Sequence, residues 1–165
     1  MVMRGVTWIR GQWSQSRCQW SKAATYLEEY IKLMSEVNLD ASGEEARLAL
    51  AQLKLGQSQP FREVADRISK VEDPPYSALA ELYLALGDYE NARKYVRIGY
   101  VEAWSDGAPY VCWPTLQHCR RIFEALGDLE PRLAPFDPHS KQPFSFEEKL
   151  SAYVQKKRTG EACRE

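Results

Sequence analysis

The pair leucine–glycine recurs at the end of three segments that have helical periodicity. The glycines are Gly56, Gly87 and Gly127, at intervals of 31 residues (56 to 87) and 40 residues (87 to 127). Glycine ends a helix readily because it adopts the left-handed backbone conformation at little cost. A turn that recurs in this way predicts a chain built from successive helical hairpins. Such units must stack on their neighbours to bury their apolar faces.

Apolar residues recur at three- and four-residue steps through most of the chain, which is typical of amphipathic helices. No segment alternates apolar and polar residues for long enough to indicate a strand, so the sequence predicts an all-α protein. Ser42 followed by Glu45 has the capping-box pattern of a helix start. Pro60 is favoured in a first helical turn, and Pro74 ends the helix that precedes it.

The unit around Gly87 has small residues where two helices would approach closely and large residues where neighbouring hairpins would meet. The small residues are Ala80, Ala92 and Gly99, and the large ones are Tyr83, Tyr89 and Val96. The segment CQWSKAATYLEEY aligns with GDYENARKYVRIGY without gaps, so residues 18–37 resemble the second helix of an earlier unit. Its first helix is predicted within residues 3–16, where Trp8 and Trp13 would be the large packing residues.

These turns and small positions resemble the tetratricopeptide repeat over residues 18–127, most closely in the unit around Gly87. The resemblance implies a right-handed α-α superhelix of stacked hairpins with a C-terminal capping helix, in a single domain 1–165. An unrelated helical bundle, in which leucine–glycine is simply a common helix end, is the alternative. The expected units are hairpins 3–41, 42–73 and 74–108, a half repeat 113–127, an extended proline-rich segment 128–144 and a C-terminal helix 145–159.

Tetratricopeptide arrays are generally protein-interaction scaffolds whose first helices line a concave groove. The resemblance therefore implies a non-enzymatic module that binds a peptide or partner protein with apolar anchors and an acidic residue. The clamp by which some members grip a terminal carboxylate is not expected, since the groove positions include no asparagine. Those positions are Ala46, Leu50, Leu53, Lys54, Ser77, Glu81, Leu84, Ala85, Gln117, Arg121 and Glu124.

Composition favours a globular protein without a membrane or nucleic-acid role. The chain has 165 residues, 44% of them hydrophobic, with a net charge of −1 and four cysteines. It has no apolar run long enough to span a bilayer, and its N-terminus lacks the apolar core of a secretion signal. We therefore expect a cytoplasmic protein, and its balanced charge argues against nucleic acid as a partner.

The residues capable of metal or nucleophilic chemistry are spaced too irregularly to predict a site. Cys112, His118, Cys119 and His139 do not form the short-spaced pairs that zinc prefers. We expect Cys119 to be buried in its helix and both histidines to be surface or cap groups. The sequence thus predicts no metal, no cofactor and no catalytic residue.

Two other functions remain open at this stage. In prokaryotes, similar helical segments are fused to regulatory ATPases and transcription activators, so the chain could be a regulatory or sensor module of a larger signalling assembly. The second alternative is a structural homo-oligomer. Three of the five tryptophans lie within the first 20 residues, and an end with exposed tryptophan would favour a homodimer through the N-terminus.

Overall fold

The computed structural model describes residues 2–105 and 113–128, with side chains for residues 5–104 and 113–128. Every residue in these ranges that belongs to regular secondary structure is helical, which confirms the all-α prediction for this part of the chain. The chain divides into two units, Met1–Asp128 and Leu129–Glu165, and the described residues belong to the first. The predicted segment 129–144 and helix 145–159 lie outside the described residues. The helices are α1 Val2–Ser16, α2 Trp20–Ser35, α3 Ser42–Lys54, α4 Phe61–Ile68, α5 Tyr76–Ala85, α6 Tyr89–Ser105 and α7 Trp113–Leu126.

Five helix ends share one arrangement of backbone hydrogen bonds around a left-handed residue. The N–H of that residue donates to the carbonyl three positions back, and the next N–H donates to the carbonyl five positions back from itself. This pair of bonds satisfies carbonyls that a helix end would otherwise leave unpaired. The left-handed residues are Cys18, Asn38, Gly56, Gly87 and Gly127.

The end of α1 is therefore built like the ends of α3, α5 and α7, although it carries no glycine. The ungapped alignment places Cys18 on Gly87, and the two residues have φ angles of 55° and 75°. A side chain in this conformation costs roughly 1–2 kcal/mol because its Cβ crowds the backbone. The geometry of the turn is thus kept at Cys18 despite a local penalty.

Each helix packs against the next one along the chain, and the two contacts of α4, with α3 and with α5, are smaller than those of the other consecutive pairs. In addition, α3 packs against α5 and α5 packs against α7. The odd-numbered helices α3, α5 and α7 therefore lie side by side. The connections from α1 to α2 and from α5 to α6 are short, and each of these two pairs packs closely.

The small positions predicted around Gly87 are confirmed. Ala80 and Ala92 are fully buried. A Cβ at Gly99 would lie 3.1 Å from the Cβ of Tyr76 and 3.3 Å from the backbone nitrogen of Ser77. Helices α5 and α6 thus approach too closely at this point for any side chain without a local shift.

The large positions are confirmed in part. Tyr83 and Val96 are buried in a core cluster that draws on α3 to α7. The prediction for Tyr89 is wrong: its side chain is 55% exposed at the start of α6, beside the exposed Gly87. The expectation for Trp8 and Trp13 as packing residues is also wrong, since they are 41% and 59% exposed. A second, smaller core lies between α2 and α3 and includes Leu27.

Three tyrosine rings stack where α5 and α6 meet. The ring of Tyr95 lies 5.4 Å from that of Tyr83 and 6.3 Å from that of Tyr76, measured between centroids. The hydroxyl of Tyr83 donates a hydrogen bond to Oδ1 of Asp66 at 2.7 Å. Burial, followed by this bond, raises the pKa of Tyr83. The buried hydroxyl is therefore satisfied as a donor and stays protonated.

The start of α3 differs from the prediction. Ala41 occupies the cap position and Ser42 is already the first helical residue, so the capping box of Ser42 and Glu45 does not form. The hydroxyl of Ser42 instead donates to Oδ2 of Asp40 at 2.8 Å. The hydroxyl thus donates to a neighbouring carboxylate, whereas in a capping box its oxygen would accept from a backbone N–H of the helix.

Candidate functional site

One row of polar side chains crosses all four odd-numbered helices. The indole Nε1 of Trp8 on α1 donates to Oε1 of Glu44 on α3 at 2.9 Å, and Arg47 Nη1 lies 3.2 Å from the same oxygen. Arg47 is also close enough to Glu81 on α5 to stabilise its negative charge. Glu81 Oε2 lies 2.9 Å from Nε2 of His118 on α7. We call these five residues the polar row.

Glu81 is the electrostatic centre of the row. Its side chain is 32% exposed, and burial on its own would raise its pKa. The hydrogen bond from His118 and the charges of His118, Arg47 and Lys54 outweigh that effect and lower the pKa of Glu81. Groups from α3 and α7 therefore converge on a carboxylate held by α5, which keeps Glu81 ionised at neutral pH.

Most of the predicted groove residues lie at least partly at the surface. Ala46 and Leu50 are exceptions, with 0% and 1% exposure, so they belong to the core beneath the groove and have no surface to offer a ligand. The half-buried positions are Leu53, Ser77, Glu81, Leu84 and Ala85, and the exposed ones are Lys54, Gln117, Arg121 and Glu124.

Two cations on these helices are exposed and form no ion pair with any residue that the structure describes. Lys54 lies seven residues after Arg47 on α3, and Arg121 lies three residues after His118 on α7. Both acids of the polar row are already paired, Glu44 with Arg47 and Glu81 with His118. Glu124 is exposed three residues after Arg121. The free cations thus outnumber the free acids among the predicted positions.

Four members of the polar row, Trp8, Glu44, Arg47 and His118, were not among the predicted groove positions. The sequence could have placed Arg47 beside this surface, because it lies three residues after Glu44 and seven before Lys54 on one helix. Trp8 and His118 had no such local indication, since their partners lie 36 and 37 residues away in sequence. The expectation that His118 is a surface or cap group is wrong: its side chain is 23% exposed and it joins α7 to α5.

The described residues contain no group of three or more histidine, cysteine or acidic side chains that could hold a metal ion. Cys112 and His139 lie outside them. Cys119 is fully buried, which confirms the expectation that it packs inside its helix. None of the helices in the part of the chain that the structure describes is long and apolar enough to cross a membrane.

The chain was compared with protein-family models, with curated proteins and with solved structures, and none of the three comparisons finds a match.

Proposed function

We propose that residues 2–128 form a tetratricopeptide-like stack of helical hairpins. Three observations support this proposal. The ends of α1, α3, α5 and α7 repeat one hydrogen-bonded turn, and α3, α5 and α7 pack side by side as first helices do in that family. The close approach at Gly99 corresponds to one of the small positions that such units require.

We further propose that the face carrying the polar row binds a peptide or a segment of a partner protein, without catalysis and without a cofactor. The observation that carries this proposal is the unequal pairing of acids and cations. Glu44 is paired with Arg47 and Glu81 is hydrogen-bonded to His118, whereas Lys54 and Arg121 are exposed without an ion pair among the described residues. A ligand carboxylate would gain most from those two cations.

Apolar groups on the same helices supply the second part of the recognition. Leu53 on α3 and Leu84 on α5 are half buried and pack against the main core. Their remaining surface lies on helices that also carry the row. A ligand with apolar side chains near an acidic residue fits this combination, because apolar anchors supply affinity while charges set orientation.

The test is affinity capture with three forms of the full chain as bait. The wild type is compared with Lys54→Glu/Arg121→Glu and with a control that carries the same change of charge on even-numbered helices, Lys32→Glu/Arg97→Glu. Both control residues are exposed and have no ion pair within the described part of the chain. Circular dichroism verifies that all three forms are equally helical.

We expect a partner that is retained by the wild type and the control but lost with the Lys54/Arg121 variant. Its binding segment, made as a synthetic peptide, should then lose about tenfold or more in affinity for that variant. Equal capture by all three forms would refute the groove as the binding site. Loss with both variants would show that net charge, rather than this face, controls binding.

A further inference from the structure

Helix α1 carries an apolar stripe that is largely exposed. Val6, Ile9 and Trp13 are 38%, 58% and 59% exposed, and their spacing of three and four residues places them on one face of the helix. Thr7 and Ser14, on another face, are 5% and 4% exposed. We call Val6, Ile9 and Trp13 the α1 stripe. Trp8 is not part of it, because its indole is turned to Glu44 in the polar row.

The first 27 residues, which include α1, have basic but no acidic side chains. They contain three arginines and one lysine, although the whole chain has a net charge of −1. The guanidinium of Arg17 lies 4.5 Å from the ring centroid of Trp13, so a cation lies directly against the stripe. Arg10, one residue after Ile9, lies over the ring of Tyr26.

The packing of the other helices indicates the kind of element that fits such a face. The odd-numbered helices α3, α5 and α7 each pack against the even-numbered helix that precedes them in the chain, namely α2, α4 and α6. For α1, no described helix takes this place. A helix laid on the α1 stripe would repeat a contact that the protein already makes three times.

We propose that the α1 stripe is a docking surface for an amphipathic helix of a partner protein, with acidic residues beside its apolar stripe. The acidic character follows from the charge of residues 1–27, since a partner helix would bring its side chains next to Arg10 and Arg17. A second copy of this chain would instead bring another helix without acidic residues against the first, which like-charge repulsion disfavours.

A helix fits the α1 stripe better than a nucleic acid or a membrane does. Val6 and Ile9 have no aromatic face on which a base could stack, and one face of Trp13 is already covered by Arg17. A stripe of three side chains at helical spacing is narrow, as expected for a seam between two helices. This inference concerns a different surface from the polar row and does not depend on it.

The test uses a designed peptide of about five helical turns, with leucines at helical spacing and glutamates beside them. A control peptide keeps the leucines and replaces every glutamate by lysine. Fluorescence anisotropy measures the binding of each to the full chain, to Ile9→Gln/Trp13→Gln, and to Tyr89→Gln as a matched removal of exposed apolar surface on α6. All of these side chains are more than half exposed, so folding should be retained.

We expect the acidic peptide to bind the wild type and Tyr89→Gln equally, and Ile9→Gln/Trp13→Gln about tenfold more weakly or worse. Binding should weaken with added salt, because exposed charges are screened. Absence of binding to the wild type, or equal binding of the lysine peptide, would overturn the proposal.

The same variants also test whether the α1 stripe binds a second copy of the chain, a nucleic acid or a membrane instead. A dimer detected by light scattering and lost in Ile9→Gln/Trp13→Gln would assign the face to a second copy. Binding of oligothymidylate or of phosphatidylserine vesicles that is lost in this variant, without binding of the acidic peptide, would assign it to nucleic acid or to a membrane. Each of these results would overturn the proposal.

Discussion

Replacing Gly99 by alanine tests the close approach of α5 and α6. The added methyl group would lie 3.1 Å from the Cβ of Tyr76 and 3.3 Å from the backbone nitrogen of Ser77, and the backbone atom cannot rotate away. Overpacking of this kind costs about 1–3 kcal/mol. Alanine also favours the helix over glycine by about 1 kcal/mol. The net loss of stability should therefore be about 1 kcal/mol.

A matched glycine separates these two effects. A Cβ added at Gly5, within α1, would meet no atom within 4 Å. Gly5→Ala should therefore show only the gain in helix propensity, about 0.5–1 kcal/mol. The difference between the two variants then isolates the overpacking at Gly99, and the propensity gain cancels.

Urea denaturation followed by circular dichroism measures this difference. With an m-value of about 2 kcal/mol per molar urea, a difference of about 2 kcal/mol separates the two unfolding midpoints by about 1 M. Gly99→Ala should unfold first, then the wild type, then Gly5→Ala. Equal midpoints for the two variants would refute the close approach of α5 and α6 and the small-position assignment that rests on it.

For three further substitutions, the structure predicts whether the free energy of unfolding rises or falls. Cys18→Gly should stabilise the protein by about 1 kcal/mol in urea denaturation, since it removes a left-handed side chain; a loss of stability would contradict this. Asp88→Ala should cost about 1 kcal/mol near neutral pH, because Asp88 accepts a bond from the N–H of Asn91. Hydrogen bonds from Asn91 and Arg62 lower the pKa of Asp88 from its ordinary value of 3.8. The stability that the ionised carboxylate contributes is therefore present above pH 3.8 and is lost as the pH falls through the lower pKa of the folded state. Glu81→Gln should likewise cost about 1 kcal/mol at neutral pH, and because the pKa of Glu81 is lowered from 4.5, the difference from wild type should vanish in acid. Midpoints in urea at about pH 7 and about pH 3 check both carboxylates, and a difference independent of pH would exclude the ionised form as the cause.

The polar row and the α1 stripe suggest two binding surfaces with different chemistry. In the row, acids and cations are paired across helices, and Lys54 and Arg121 remain exposed. On α1, exposed apolar side chains lie among cations. Variants of the two surfaces share no residue, so capture and anisotropy experiments can assign a partner to one of them.

The ends of α3, α5 and α7 could be predicted because their cause is local. Glycine at positions 56, 87 and 127 adopts the left-handed conformation in each case, whatever packs around it. The predicted ranges 3–16 and 18–37 end close to Cys18 and Asn38, but the left-handed turn was not predicted there, because these residues do not require that conformation. Backbone bonds to the preceding helix stabilise it there.

The repeat register counted from Gly87 also identified the small residues Ala80 and Ala92, which are buried. The sequence by itself thus determined the helices, most of their ends and the faces that could be buried. These are properties of neighbouring residues, and they follow from backbone conformation and helical spacing.

Only the tertiary structure decided which of those faces find a partner. Tyr89 and Trp13 were predicted as large packing residues, yet the side chains of both are more than half exposed because no described helix covers them. Glu81 and His118 are 37 residues apart and meet only because α5 packs on α7. Contacts between distant segments depend on how helices are placed in space, and no local pattern of residues encodes that placement.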